Sequence, residues 1–147
     1  MGFSFDKVLA AFGNTRAMEN TVVDNVTEDI INSIKDKPFA VSEQNVMYAA
    51  IKELGGYYYL KTIIVGSFKI KTMKGATLSI SGNKLDLILK TDMDEFESDH
   101  SNISGTYITR IDFQINEENV SQIDTSFINT FVLKAKKNVI DFKSYKD

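Results

Sequence analysis

The sequence predicts an α+β domain in which about three N-terminal helices precede a mostly antiparallel meander sheet of about six strands. Three observations carry that expectation. Apolar residues recur at helical spacing as far as Gly55-Gly56. From Tyr57 onward they alternate with polar residues at the strand period of two. Small clusters of Gly, Asn, Ser and Lys then break the alternation at hairpin-like intervals. Helices in one block and strands in the next is the α+β order.

The first helix is expected over residues 5–12, with Phe5, Val8, Leu9 and Phe12 on one face and Gly13-Asn14 as its stop. A second fits residues 21–36, where Val23, Val26, Ile30 and Ile34 form the stripe. Lys35 and Lys37 suit the negative end of its dipole, and Pro38 marks the break. A third is expected between Ser42 and Gly55-Gly56. Ser42 is a good N-cap, Val46, Met47, Ala50, Ile51 and Leu54 make the stripe, and the glycines tolerate the positive φ of a helix end.

Strands follow. Leu60 to Thr72 alternates, with Ile63-Ile64-Val65 apolar on both faces, so its middle needs cover on both sides. Residues 76–80 and 85–90 form a pair around Ser81-Gly82-Asn83-Lys84. A long strand runs over 103–115, a helical turn fits 117–123, and a final hairpin joins 127–136 to 139–145. Such a sheet exposes a second apolar face, carrying Ile63, Val65, Ile108, Ile128 and Val132. The three helices, a strongly curled or barrel-like sheet, another subunit or a ligand would cover it.

At 147 residues the chain fits a single domain over 1–147, helical over 1–56 and β over 57–147. It is long enough to hold a core without metal or disulfide. Its 43% hydrophobic and 25% charged content is that of an ordinary globular protein. Residues 1–56 carry five Lys/Arg against eight Asp/Glu, and the rest is balanced. This disfavours nucleic acid as a partner. The absence of cysteine excludes disulfides, Cys-zinc sites, iron–sulfur clusters and thiol chemistry. Met1 to Asp6 does not read as a signal peptide, and no apolar run approaches the roughly 20 residues of a membrane span. A soluble cytoplasmic protein with no membrane association and no cofactor is expected.

Four groups of residues are candidates for function. Between Asp92 and His100, five carboxylates and the only histidine fall within nine residues. Asp92, Asp94, Glu97 and Asp99 supply the oxygens that a hard divalent cation prefers. The pattern lacks the glycine and terminal glutamate of an EF-hand, and a solvated loop is the plainer reading. His100 is a candidate general base with Ser98 or Ser101 nearby, although nothing resembles a nucleophile elbow. Tyr57-Tyr58-Tyr59 must point to both faces of a strand, which leaves aromatic surface with polar tips for an interface. Lys69, Lys71, Lys134 and Lys136 would form a basic stripe if their strands were neighbours. There is no phosphate loop, dinucleotide fingerprint or zinc-protease motif.

The expected function is a non-enzymatic binding or protein-interaction domain, with Tyr57, Tyr58, Tyr59, Ile63 and Val65 at the interface. Its partner is another protein or a second copy of the chain, and a small apolar ligand is a further option. Two alternatives stay open: a divalent-metal-dependent protein using the 92–100 loop, and a small hydrolase using His100.

Overall fold

The computed structural model describes residues 38–101, 103–123 and 127–145. The elements are β1 (Ala40–Val41), β2 (Asn45–Leu54), β3 (Tyr57–Gly66), β4 (Lys71–Thr72), β5 (Thr77–Gly82) and β6 (Leu85–Lys90). They continue with β7 (Phe96–Glu97), β8 (Asp99–His100), β9 (Tyr107–Ile115), α1 (Glu117–Val120), β10 (Ile128–Ala135) and β11 (Asn138–Ser144). Nine strands form one sheet in the order β6-β5-β10-β11-β1-β2-β3-β9-β8, and β4 pairs with β7 in a separate ribbon. Every pairing is antiparallel. The sheet curls until the end of β6 meets β9. Thr91 bridges Phe113, and the Asp92 N–H donates to the Asp112 carbonyl at 2.9 Å.

The α+β expectation is therefore corrected. Among the described residues the fold is nearly all β, and the four-residue α1 is its one helix. The expected helices at 5–12 and 21–36 lie outside the described residues. The third expected helix is β2, a ten-residue strand paired in unbroken register with β3. Both of its signals were real but belong to other structures. Gly55 and Gly56 have φ of 61° and 86°, so they form the two-residue type I′ turn of a hairpin, not a helix end. Ser42 Oγ accepts from the Asn45 N–H at 3.0 Å, the contact an N-cap makes, yet here it closes the turn between β1 and β2. The apolar stripe splits by strand parity. Met47 and Ile51 face the interior, while Val46 and Ala50 face outward.

Six strands expected from alternation are present, with shifted limits. The Leu60–Thr72 strand ends at Gly66. There a Cβ would lie 2.1 Å from the Gln44 carbonyl oxygen, so only glycine lets the backbones approach this closely. Phe68 and Ile70 continue into the core beyond it. The helical turn expected at 117–123 is α1 and the turn after it.

The interior cluster is built from inward residues of seven long strands, with Leu78, Ile80, Phe113, Phe131, Leu133 and Phe142 at its centre. Burying each such side chain contributes about 1.5–3 kcal/mol. Polar atoms that enter it are paired. Thr62 Oγ1 donates to the Ile111 carbonyl at 2.7 Å, and the Ser98 and Thr109 hydroxyls meet at 2.6 Å. Ile128 is buried in this interior, not on the second face. Its partner is Gly82 while Thr130 faces Ser81, so a bulge between them reverses the parity. Val132 does face outward and is half-buried.

Candidate recognition site

The outward face of β2, β3 and β9 carries the candidate site. Its cross-strand register is simple. Val46, Val65 and Ile108 form one row, and Tyr48, Ile63 and Arg110 the next. Ala50, Lys61 and Asp112 follow, then Lys52, Tyr59 and Gln114, and last Leu54 with Tyr57 at the hairpin tip. The first rows are a second apolar cluster of Val46, Tyr48, Ile63, Val65 and Ile108, flanked by Val41, Ala50 and Ile103. Ile63 is 2% exposed and Val65 is fully buried. These two expected interface residues are thus not part of an open patch. Tyr48 is 1% exposed, and its hydroxyl lacks a hydrogen-bond partner among the described residues. Burial, with the charge of Tyr145 as a smaller contribution, pushes its pKa up to about 12.

The last rows are open. Leu54 and Tyr57 are each 70% exposed. Beside them lies a cleft of about 390 Å³. One wall is Gly56 and Tyr57–Tyr59, and the other is Gln114–Glu117 at the end of β9 and the start of α1. Its size is that of a small ligand or side-chain pocket. The alternation of a strand divides the tyrosines as expected. Tyr58 packs against the interior cluster and lies opposite Glu53 and Ile115. Tyr57 and Tyr59 turn outward, and Lys61 Nζ lies 5.8 Å from the centre of the Tyr59 ring. The carboxylates of Glu53 and then Glu117 raise the pKa of the Tyr58 hydroxyl, which also hydrogen-bonds to Glu53. Lys61 pairs with Asp112 at 2.9 Å on the neighbouring strand.

Glu53, Gln114, Asn116 and Glu117 escaped the sequence reading. Glu53 did so because its segment was read as helix. The signal that would have found it is the Gly-Gly pair between two strand-length apolar runs, which marks a hairpin and sets residue 53 opposite residue 58.

The acidic loop is not gathered into a site. Asp92 Oδ1 accepts from Gln114 Nε2 at 3.0 Å, and Asp99 forms an ion pair with Arg110 at 2.7 Å. The Asp94 backbone accepts from the Gly75 N–H, and Glu97 lies in β7 opposite Lys71. Among the described residues no three His, Asp or Glu side chains are grouped to hold a metal ion. His100 is exposed on β8, its ring 5.5 Å from that of Tyr107. Ser98 Oγ is held by Thr109 and the Ile70 N–H, and Ser101 Oγ by the Ile103 backbone, so neither serine is poised on His100. A second cleft of about 140 Å³, lined by residues that include Met93, Phe96 and Arg110, lies under this loop.

The basic stripe is not assembled either. β10, which carries Lys134, runs between β5 and β11, whereas Lys71 belongs to the β4–β7 ribbon. Lys69 Nζ instead lies 5.2 Å from the centre of the Tyr107 ring. Among the described residues no helix is long and apolar enough to cross a membrane. Comparison with known protein families, curated proteins and solved structures finds no match.

Proposed function

We propose that the chain is a non-enzymatic protein-interaction domain whose recognition site is the tyrosine-lined cleft at the β2–β3 hairpin. The observation that carries this reading is the open pair Leu54 and Tyr57 beside a cleft walled by the half-buried Tyr58 and Tyr59. Leu54 and Tyr57 present large apolar side chains to solvent on one face of a rigid hairpin, beside a concave wall. Tyrosine on a rigid strand offers large contact area at low entropic cost, which is why it is enriched at interfaces. The hairpin is held by ten register pairs to β2, with nine more from β3 to β9, so its surface is preorganised. The proposal takes the protein to act in the cytoplasm, which cell fractionation checks.

Site-specific photo-crosslinking tests it. A benzoylphenylalanine at position 57 is expected to capture one discrete partner in cells expressing the protein. The same probe at Val139, an equally apolar exposed site on β11, is expected to capture nothing discrete. Equal capture at both positions, or none at position 57, contradicts the proposal. A captured second copy of the chain would make the partner the protein itself.

A further inference from the structure

We infer that the tyrosine cleft receives a cationic side chain, a lysine or arginine presented by the partner protein. This rests on the recognition reading above and adds the chemistry of what enters. The first ground is the charge of the cleft. Glu117 is part of its wall, Glu118 follows, and Glu53 lies opposite Tyr58 on the adjoining strand. None of these three forms an ion pair with a lysine, arginine or histidine among the described residues. Carboxylates on the outward sheet face are already neutralised, Asp112 by Lys61 and Asp99 by Arg110. The cleft is therefore a place where negative charge has no ion-pair partner among the described residues, while the carboxylates of the neighbouring outward face do.

The second ground is the ring chemistry. The faces of tyrosine rings carry negative potential and attract cations, best where the cation is partly removed from water. One ring of this cluster already does so, since Lys61 lies over Tyr59. Tyr57 has no such companion among the described residues and is open to solvent. The third ground is the match to a long cationic side chain. Its methylene stem packs on ring faces and Ile115, while its head reaches Glu117 and the side-chain oxygens of Gln114 and Asn116. The raised pKa of Tyr58 agrees with this field, because its causes are the carboxylates of Glu53 and Glu117. A negatively charged or purely apolar group would gain less in the same space.

The test is an amide-resolved NMR titration of the full chain with the tripeptide acetyl-Gly-Lys-Gly-amide and its norleucine isostere. The lysine peptide is expected to shift the amides of Tyr57–Tyr59 and Gln114–Glu117 in a saturable way. The norleucine peptide is expected to bind about tenfold more weakly, from the cation–ring and carboxylate contributions together. The exposed pair Glu53→Gln and Glu117→Gln is expected to remove most of that difference while leaving the spectrum elsewhere unchanged. Equal binding of the two peptides overturns the inference and leaves the cleft as an apolar recognition site. No shift with either peptide, together with a discrete crosslink at position 57, overturns the inference alone. No shift and no crosslink overturn both.

Discussion

The two ends of the β2–β3–β9 outer face differ more than their sequences suggest. Both have the same strand parity and the same three strands, and both are rich in apolar and aromatic residues. At one end Tyr48, Ile63 and Val65 are withdrawn from water. At the other, six residues along the same strand from Ile63, Tyr57 is open. Lys61 and Asp112 mark the border between them. Strand parity assigns a residue to a face, but only what lies over that face decides whether it is core or interface. A sealed apolar residue contributes to folding, whereas an open one is available to a partner.

Substitutions at the two ends sharpen this contrast. Ile63→Ala is expected to cost about 2–5 kcal/mol, because it leaves a cavity in the sealed cluster. Urea unfolding measures it, and a loss below about 0.5 kcal/mol would mean that this end is not core. Tyr48→Phe is expected to hold stability constant or raise it by about 1–2 kcal/mol, since it removes a buried hydroxyl without a partner. It also changes the alkaline response. The folded-state pKa of Tyr48 lies above the ordinary 10.0, at about 12, so the folded state keeps its proton more tightly. That stabilisation is complete below the ordinary value and declines as pH rises toward the folded-state value. Unfolding measured across this window should show a steeper decline for the native chain than for Tyr48→Phe.

Effects shrink across the border. Lys61→Ala is expected to cost about 1 kcal/mol or less, because the ion pair is only half-buried. Tyr57→Ala is expected to change stability by no more than about 0.5 kcal/mol while abolishing capture of the partner by a benzoylphenylalanine placed at position 114 on the facing wall of the cleft. Glu53→Gln should leave stability unchanged but lower the Tyr58 pKa toward its ordinary value, read by ultraviolet titration. An unchanged Tyr58 titration would show that Glu53 does not set the field of the cleft.

Much of the sheet was legible because alternation is a local property. Leu60, Ile64, Ile111 and Phe113 fall on the inner face as their parity requires. The β2 segment was not, because its continuous apolar run over residues 46–51 fits a helical stripe and a strand covered on both faces equally well. The Gly55-Gly56 turn and the in-register pairing with β3 that it permits decide between them. Ile128 was misplaced because a bulge reverses parity without leaving a mark in composition. The tyrosines were found as residue types, but of their carboxylate neighbours Glu117 comes from a position distant in sequence and Glu53 from a segment whose pattern also fits a helix. The acidic loop shows the reverse. Its carboxylates are close in sequence, yet Asp92 and Asp99 bind different partners on the sheet.

Tyrosine footprinting of the intact protein, free and in cell extract, tests the central contrast most directly. With brief tetranitromethane treatment, Tyr57 is expected to be modified at least about tenfold faster than Tyr48, as their burial requires. Extract containing the partner is expected to protect Tyr57 and to leave Tyr48 as slow as before. Modification of Tyr48 at the rate of Tyr57, or a Tyr57 indifferent to the extract in which crosslinking finds a partner, would contradict the account.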